Sequence, residues 1–308
     1  MSEASEFDLQ AYSAAVAQVV EKAGTFVAAV KAAAYRVASG VIFREDLIAV
    51  NNHVLRREGT VPVHLPDGTE AQASILGRDP SVDLAILKVT GAKWQPALAE
   101  EESAQRAGAL AIVVGRTIDS GLSASVGTLG AVGGPRPTWR GGQLSRFLRL
   151  DVNVYPSQAG AAVVSARGRF LGMASAAMLR HSTLAVPPET LDRIANELLS
   201  EGRIRKGYLG VALQPVAIPE HLRSKSSLAG TSGLMVLSVE PGASAEDAGI
   251  QMGDILLAAG STSLTEPETL LSLLGGDVLG KPLRLTVLRA GSIVDIEIQV
   301  AVRESKRN

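Results

Sequence analysis

The sequence predicts a mostly β protein made of two globular domains, and three observations support this prediction. The chain has 308 residues, about twice the length of a typical single domain. Between residues 25 and 187, short segments rich in Val, Ile, Leu and Ala alternate with glycine and Asp-Gly turns. This pattern is typical of an all-β barrel or sandwich rather than a parallel α/β sheet. A second series of short apolar segments begins near Gly207.

The composition narrows the possible classes of function. The 30 Lys and Arg residues nearly balance the 31 Asp and Glu residues, so no basic surface for nucleic acid is expected. The same balance argues against an anionic membrane surface as the main partner. A hydrophobic content of 46% excludes wholesale disorder. The absence of cysteine excludes disulfides, a thiolate nucleophile and a cysteine-ligated zinc site.

No transmembrane segment is expected in this chain. Apolar runs such as residues 108–115 are much shorter than the ~18 residues of a spanning helix. Residues 1–8 are acidic and lack the basic and apolar regions of a signal peptide. The sequence as written therefore predicts a cytoplasmic protein, unless a leader has been removed.

Four segments follow one another along the chain. Residues 1–24 form an amphipathic helical segment whose apolar stripe, at a spacing of 3.6 residues, should pack on the body of the protein or on a neighbouring subunit. Residues 25–202 form the first β-rich domain, which is closed by a helix beginning at Pro188 and ending at Gly202. Residues 203–303 form the second domain, and residues 304–308 are a polar tail.

The second domain is predicted to contain both strands and helices. Two helices are expected at residues 244–248 and 266–274. Its strands are expected at residues 210–213, 234–239, 254–259, 283–289 and 293–300. The 97 or so residues from 207 to 303 are a normal size for an independent domain.

Two polar residues at the ends of apolar strands are the first candidates for chemistry. His53 follows the apolar segment 47–50, and Asp83 opens the apolar segment 84–88. Taken singly, His53 fits a structural histidine and Asp83 fits a turn residue that starts a strand. Neither residue alone indicates a function.

Together, these two segments resemble the HtrA/Deg family of trypsin-like proteases. The matching motifs are Asn51-Asn-His-Val54 and Asp83-Leu-Ala-Ile-Leu-Lys88, and the similarity continues in register through Leu184-Ala-Val-Pro187 to Arg205-Lys-Gly-Tyr-Leu-Gly-Val211. The resemblance implies a chymotrypsin-like double β-barrel followed by a PDZ domain. It also implies that His53 is the general base and that Asp83 is the carboxylate that orients it.

The nucleophile position departs from the family pattern. Where the family has Asn-Pro-Gly-Asn-Ser-Gly-Gly-Pro, this chain has Tyr155-Pro-Ser-Gln-Ala-Gly-Ala-Ala162. The alignment places Ala159 at the catalytic serine and places the backbone of Ser157, Gln158 and Ala159 at the oxyanion hole. Ser157 is a poor substitute nucleophile. It lies two residues before Ala159, and side chains at different positions of a turn point in different directions. A methyl group cannot attack a carbonyl carbon, so the chain as written is predicted to be proteolytically inactive.

Two explanations of Ala159 are open. One is a Ser→Ala inactivation of a working endopeptidase that acts on unfolded or exposed polypeptides, and the intact His53 and Asp83 favour it. The other is a natural pseudoprotease that serves as a peptide-binding scaffold or chaperone. In that case four unusual residues belong to the same loss of activity: Tyr155, Ser157, Ala161 and Ala162.

The resemblance also implies the binding residues. The substrate-binding pocket is expected to favour small aliphatic side chains, with walls from Val154, Tyr155, Met173, Ala174 and Ser175. Peptide C-termini are expected to bind the PDZ domain at Tyr208, Leu209, Gly210 and Val211, with Leu270 on the wall of the groove. Several of these residues fit ordinary core positions equally well.

The expected partners are unfolded polypeptides and peptide C-termini. Family members commonly assemble as trimers, so a homo-oligomer is expected, and family members are often periplasmic or membrane-associated. No cofactor is expected, because no phosphate-binding glycine loop opens a helix. No metal site is expected either, since His64, His181 and His221 are scattered along the chain.

Overall fold

The computed structural model describes residues 8–33, 36–56, 59–91, 93–179, 182–205, 207–226, 230–275 and 278–302. The chain divides into two compact units. One consists of Met1–Arg136 and Gln143–Ile204, and the other consists of Pro137–Gly142 and Arg205–Asn308. Each unit has its own hydrophobic core.

The first six strands close into an antiparallel barrel. Their bounds are β1 Val27–Ala33, β2 Arg36–Arg44, β3 Leu47–Asn51, β4 Thr60–His64, β5 Glu70–Asp79 and β6 Leu84–Val89. Around the barrel they follow the order β1-β2-β3-β6-β5-β4. Strand β3 is buried along its whole length, which explains why its sequence is a continuous apolar run instead of an alternating one.

The next strands form a second closed barrel and a small hairpin. Their bounds are β7 Leu110–Thr117, β8 Gly121–Gly133, β9 Arg136–Pro137, β10 Gln143–Leu144, β11 Phe147–Asp151, β12 Ala162–Val164, β13 Phe170–Leu179 and β14 Ser182–Val186. The barrel has the order β11-β14-β13-β12-β7-β8, and β9 pairs with β10. The double barrel predicted for the first domain is confirmed.

Two helices flank the barrels. Helix α1, Leu9–Gly24, begins where the Asp8 carboxylate accepts hydrogen bonds from the Gln10 and Ala11 N–H groups at 2.9 and 3.1 Å. Its valines pack against the core of the first unit, whereas Leu9 at its start is exposed. Helix α2, Pro188–Glu201, ends at the left-handed Gly202. This end matches the predicted glycine stop.

The second unit is a twisted sheet with short helices. Its strands are β15 Gly207–Tyr208, β16 Val211–Ala217, β17 Ser232–Val239, β18 Ile255–Ala259, β19 Thr262–Ser263, β20 Pro282–Arg289, β21 Ser292–Gln299 and β22 Ala301–Val302. Its helices are α3 Glu220–Ser226, α4 Ser244–Asp247 and α5 Pro267–Leu273. The main sheet has the order β16-β17-β18-β20-β21, with β19 on β18, and β15 pairs with β22. Strand β16 therefore lies at an edge of this sheet, and α5 lies close to it.

Within the part of the chain that is described, no helix has the length and apolar character needed to cross a bilayer.

Candidate active site and peptide-binding groove

His53 and Asp83 come together at the ends of two paired strands. His53 lies in a single 3₁₀ turn directly after β3, and Asp83 lies just before β6, the partner of β3. The Nδ1 atom of His53 is 3.0 Å from Oδ1 and 2.9 Å from Oδ2 of Asp83. Asp83 has the left-handed backbone conformation, with φ 54°, which Asp tolerates better than bulkier residues do.

The Asp83 carboxylate is buried and fully engaged. Besides the imidazole, it accepts the His53 backbone N–H at 3.0 Å and the Ser175 hydroxyl at 2.6 Å. Asp83 is 2% exposed, whereas the His53 side chain is 39% exposed. A buried carboxylate with several donors stays where they hold it. The arrangement fixes the orientation of the imidazole and leaves Nε2 as the atom that can exchange a proton with a bound group.

Backbone hydrogen bonds connect the Ala159 segment to strand β2 and to the residue that precedes Ser175. The Ala159 carbonyl accepts the Ser39 N–H at 2.9 Å, and the Gly160 N–H donates to the Ala174 carbonyl at 3.3 Å. Ala174 directly precedes Ser175, whose hydroxyl binds Asp83. A Cβ on Gly160, which has φ +79°, would lie 2.4 Å from the Ser39 carbonyl oxygen. Only glycine fits at this position.

The three residues predicted for the oxyanion hole lie at the end of a 3₁₀ turn. The Gln158 N–H donates to the Tyr155 carbonyl at 2.8 Å, and the Ala159 N–H donates to the Pro156 carbonyl at 3.3 Å. The Ser157 carbonyl accepts the Ser39 hydroxyl at 3.0 Å. In this conformation two backbone N–H groups of the loop donate to carbonyl groups of the same loop.

The Gln158 side chain adds a second set of contacts to the same loop. It is 1% exposed, and its Oε1 atom accepts both the Ser125 hydroxyl and the Tyr155 N–H at 3.1 Å. An amide oxygen that accepts two bonds inside the protein ties the start of the loop to strand β8. The sequence pattern did not reveal this role, because nothing in it indicates that the Gln158 side chain points inward.

The residues predicted for the substrate pocket occupy different environments. Met173 and Ala174 are fully buried core residues. Ser175 is buried and binds Asp83, so the structure places it beside the His–Asp pair. Tyr155 is 56% exposed at the start of the loop. Val154 is half-buried and lines an open cleft.

This cleft has a volume of about 730 Å³, and one of its lining residues, Ala176, directly follows Ser175 in the chain. Its walls come from β8, from β11 and the residues after it, and from the β13–β14 hairpin; the lining residues are Val126, Arg149, Leu150, Asp151, Val152, Asn153, Val154, Ala176, Ser182 and Thr183. Half of these side chains are polar or charged. The expected preference for small aliphatic side chains considered only the aliphatic residues of the pocket walls.

The residues predicted to bind peptide C-termini lie before and at the start of edge strand β16. The Leu209 carbonyl accepts the Ala245 N–H at 2.9 Å, and the Gly210 carbonyl accepts the Glu240 N–H at 2.8 Å. The Tyr208 hydroxyl hydrogen-bonds the Glu240 carboxylate.

Gly210 has φ +79°, and a Cβ there would lie 2.1 Å from Ala243 Cβ. Val211 is partly buried against the core of the second unit, and Leu270 on α5 lies within that core. The neighbouring Leu271 is the more exposed leucine of this helix.

The three histidines that the structure describes belong to no metal-binding cluster. His64 Nδ1 lies 3.3 Å from Glu70 Oε1, a carboxylate that the sequence pattern did not assign to it. His221 is on α3, and His181 lies outside the described residues. Among the described residues, no group of three or more His, Asp or Glu side chains is arranged to hold a metal ion.

Family comparisons match both units. Residues 38–173 match the model of the trypsin-like peptidase domain, and residues 207–300 match the model of the PDZ domain. The fold and these two matches define a trypsin-like peptidase domain joined to one PDZ domain. The His53–Asp83 pair lies within the first match.

Curated serine proteases are similar to this chain over most of its length. A probable periplasmic serine endoprotease, DegP-like, from Brucella suis biovar 1 (strain 1330) is 27% identical over 271 residues, which are 85% of this chain and 52% of the relative. The serine protease Do-like HtrA of Lactobacillus helveticus is 29% identical over 86% of this chain and 68% of its own length. The chain thus spans about half the length of the Brucella relative.

A solved structure shows the same fold. The HtrA-type protease AlgW with decapeptide superposes with a TM-score of 0.75 at 22% identity, covering 94% of this chain and 99% of that chain. The family models thus show a trypsin-like peptidase domain followed by a PDZ domain, and the chain is similar to HtrA and DegP-like serine proteases.

Proposed function

We propose that the chain is an HtrA-like protein that binds unfolded or exposed polypeptides at a protease-type site and does not hydrolyse them. Ala159 carries this proposal. It occupies the position that aligns with the family's nucleophilic serine, and its methyl group offers neither a nucleophile nor a proton for His53 to take. Triad proteases that lose a member keep only ~10³–10⁴-fold acceleration over water.

The hydrogen bonds within the loop before Ala159 are a second obstacle to catalysis. An oxyanion hole requires N–H groups aimed at the oxygen of the bound carbonyl. Here the N–H groups of Gln158 and Ala159 bind carbonyls of their own loop. The Gln158 side chain and the Ser39 hydroxyl hold the same loop conformation. Several hydrogen bonds must therefore break before the loop can stabilise an oxyanion.

A second candidate function is hydrolysis by a serine endopeptidase that a single Ser→Ala exchange has inactivated. The observation that favours it is the complete His53–Asp83–Ser175 arrangement, with every contact within 3.0 Å. In this candidate, the loop rearranges when substrate binds and only the hydroxyl is missing.

Restoring the nucleophile separates the two candidates. We expect the single variant Ala159→Ser to leave casein uncleaved, because the loop N–H groups remain engaged. The triple variant Ser157→Gly, Gln158→Asn, Ala159→Ser restores the family's Gly-Asn-Ser at these three positions and should cleave casein. It should lose this activity with His53→Ala. Cleavage by Ala159→Ser alone would instead establish the second candidate. Binding of reduced, carboxymethylated lactalbumin by the parent chain tests polypeptide binding directly.

We further propose that the second unit captures peptide C-termini by strand addition. Strand β16 is at the sheet edge with α5 nearby, so an extended peptide can pair with β16 and contact the helix. The segment 208–211 at the start of this groove would hold the terminal carboxylate with backbone N–H groups. Binding of a peptide with a free C-terminus should weaken at least tenfold when that terminus is amidated. Equal binding of the two forms would contradict this assignment.

The full assembly is proposed to be a homotrimer. Leu9 at the start of α1 is exposed although it belongs to the helix's apolar stripe, so it is available to a neighbouring subunit. Sedimentation equilibrium should give three times the mass of one chain, and Leu9→Glu should lower this mass. A parent chain that sediments as a monomer would refute the proposal.

A further inference from the structure

The two ends of edge strand β16 show which of its backbone groups face its partner β17. Just before β16, the Gly210 carbonyl accepts the Glu240 N–H at 2.8 Å. Just after β16, the Ile218 N–H donates to the Thr231 carbonyl at 2.9 Å. Glu240 directly follows β17 and Thr231 directly precedes it. At both ends, therefore, these groups of the even-numbered residues point toward β17.

The odd-numbered residues of β16 point toward the open edge of the sheet. The C=O and N–H of one trans peptide group point in opposite directions, so the Val211 N–H and the Ala217 C=O face away from β17. Along a strand in an antiparallel pair, the direction of the backbone groups reverses at each residue. Val211, Leu213, Pro215 and Ala217 therefore present their backbone groups to the open edge.

A β-bulge between β16 and β17 leaves this alternation intact. Ala212 pairs with Ser238 and Leu213 pairs with Val236, so Leu237 is the extra residue. In a β-bulge, the strand that carries the extra residue is the one that bends. That strand is β17, and β16 alternates regularly from its start to its end.

Pro215 interrupts the row of hydrogen-bond donors along the open edge. Proline has no N–H group, so the edge offers the N–H groups of Val211 and Leu213 and then no donor until Ala217. Among the described residues, no turn or loop carbonyl accepts the Val211 or Leu213 N–H. A proline on the open side of an edge strand prevents another strand from pairing along the whole edge.

The apolar side chains of β16 stop at the same position. Val211 and Leu213 pack partly against the core of the second unit. Pro215 lies on the same face of the strand, because it is two residues further on, but it is exposed. Backbone donors and apolar contacts are therefore both concentrated in the first half of β16.

We propose that Pro215 ends strand addition, so that the groove recognises about the last four residues of a polypeptide whatever precedes them. The inference rests on the proposed strand addition and names the part of the peptide that is recognised. With its carboxylate at 208–211, the peptide runs antiparallel to β16. Its last residue lies opposite Val211, and the residue two before it lies opposite Leu213. The residue four before the last lies opposite Pro215, where its carbonyl has no donor.

Peptide length tests this limit in the full chain. The peptides Thr-Val-Thr-Val and Thr-Val-Thr-Val-Thr-Val-Thr-Val, both with free C-termini, displace a copy of the longer peptide that carries fluorescein at its N-terminus, and anisotropy follows the displacement. An excess of the amidated longer peptide is present throughout to occupy sites that need no carboxylate. We expect the two lengths to bind the parent chain within about twofold of each other, because the additional residues gain no regular pairing.

Two variants assign the limit to the missing N–H. Pro215→Ala supplies a donor, so the longer peptide should then bind about fivefold more tightly than the shorter one, the scale of one additional hydrogen bond. Gln214→Ala introduces the same side chain at an exposed position whose backbone groups face β17. This control should leave the ratio of the two affinities as it is in the parent.

Methylation of single peptide nitrogens tests the same limit without any change to the protein. In the longer peptide, N-methylation of the residue opposite Leu213 should weaken binding to the parent about fivefold, because it removes a paired N–H. N-methylation of the residue six before the last, opposite Ala217, should have no effect. This comparison decides the matter even if Pro215→Ala fails to fold.

The outcomes separate this inference from the strand addition on which it rests. A longer peptide that binds the parent about fivefold more tightly than the shorter one overturns the role of Pro215. So does a Pro215→Ala variant that gives no gain, or a loss of affinity on N-methylation opposite Ala217. If free peptides still bind better than amidated ones, strand addition itself stands. If amidation makes no difference, both proposals fail.

Discussion

Asp83 shows how strongly one residue can depend on its neighbours. Its carboxylate is buried and accepts hydrogen bonds from His53 and Ser175. A buried charge is tolerated only when it is paired and hydrogen-bonded. The sequence identified His53 and Asp83 through a family resemblance, yet it assigned Ser175 to substrate binding. The position of Ser175 on its strand does not show whether its hydroxyl faces the substrate pocket or Asp83.

Removing the Ser175 hydroxyl should destabilise the first unit. We expect Ser175→Ala to lower the free energy of unfolding by about 1–3 kcal/mol, because a buried charged acceptor loses a donor. The exposed Ser74→Ala should change it by less than about 0.5 kcal/mol. Urea titration can follow Trp94 fluorescence in a Trp139→Phe background, since the chain has only two tryptophans. Equal effects of the two substitutions would show that the hydrogen bond to Asp83 has no stabilising role.

Gly160 provides a second test at the residue scale. Gly160 and Gly121 both have positive φ, but a Cβ added to Gly160 would lie 2.4 Å from the Ser39 carbonyl oxygen, whereas a Cβ added to Gly121 would meet nothing within 4 Å. Gly121→Ala should therefore cost only the left-handed backbone penalty, about 1–2 kcal/mol. Gly160→Ala should cost at least ~1 kcal/mol more, because the methyl group overpacks the site. The same urea titration measures both, and similar losses would mean that the loop shifts easily.

At the scale of elements, the sequence predicted helices α2, α4 and α5 but not α3. Helix α2 matches its expected start and glycine stop because apolar spacing and end signals agree there. Helix α3 was not expected, since Leu222 is the one strongly apolar residue in its sequence and no apolar period can be seen. The loop at Ala159 was located by its motif, but its hydrogen bonds depend on Ser39 and Ser125, which are remote in sequence.

The junction of β18 and β20 gives a prediction about pH. The Arg289 guanidinium binds both oxygens of Asp254, at 2.8 and 2.7 Å, and the Gln251 N–H binds the same carboxylate at 2.8 Å. Burial alone would raise the pKa of Asp254, but these hydrogen bonds outweigh it and hold the pKa below the ordinary value of 3.8. The stabilisation is therefore complete above pH 3.8 and is lost as the pH falls through the lowered pKa.

Arg289→Gln should reveal this dependence. Calorimetric scans between about pH 7 and pH 2.5 should show a gap in unfolding temperature between parent and variant that is widest above the ordinary Asp pKa of about 3.9 and narrows below it. Arg284→Gln, which removes an exposed ion pair with Asp295 at 2.6 Å, is the matched control and should give a smaller gap. A gap for Arg289→Gln that stays constant over the whole range would contradict the assignment to Asp254.

For the whole molecule, composition alone determines the net charge, which is close to zero. The formal net charge is −1 and the isoelectric point is about 6.5. Mutual repulsion between chains is weakest near that pH, so self-association is least opposed there. Light scattering at low salt should therefore be highest near pH 6.5 and lower at pH values about two units away on either side. A minimum near the isoelectric point would indicate that specific contacts, not net charge, control association.

The order of the two domains could be predicted from the sequence because both carry motifs that match in register. The chemistry of the cleft could not, since its walls come from β8, β11 and the β13–β14 hairpin, which are far apart along the chain. Asp151 on β11 is one of the residues that line it. Closure of the barrel is what makes it a wall of the cleft.

Under the proposed function, in which Ala159 stands at the nucleophile position, its methyl group changes the kinetics that describe this site. In a working protease, a bound polypeptide leaves either by dissociation or as fragments, and KM contains both routes. Without acylation, departure is by dissociation alone, so the lifetime of a complex is the inverse of its off-rate. Occupancy then follows a true equilibrium constant, and a polypeptide that this site binds is released at its full length.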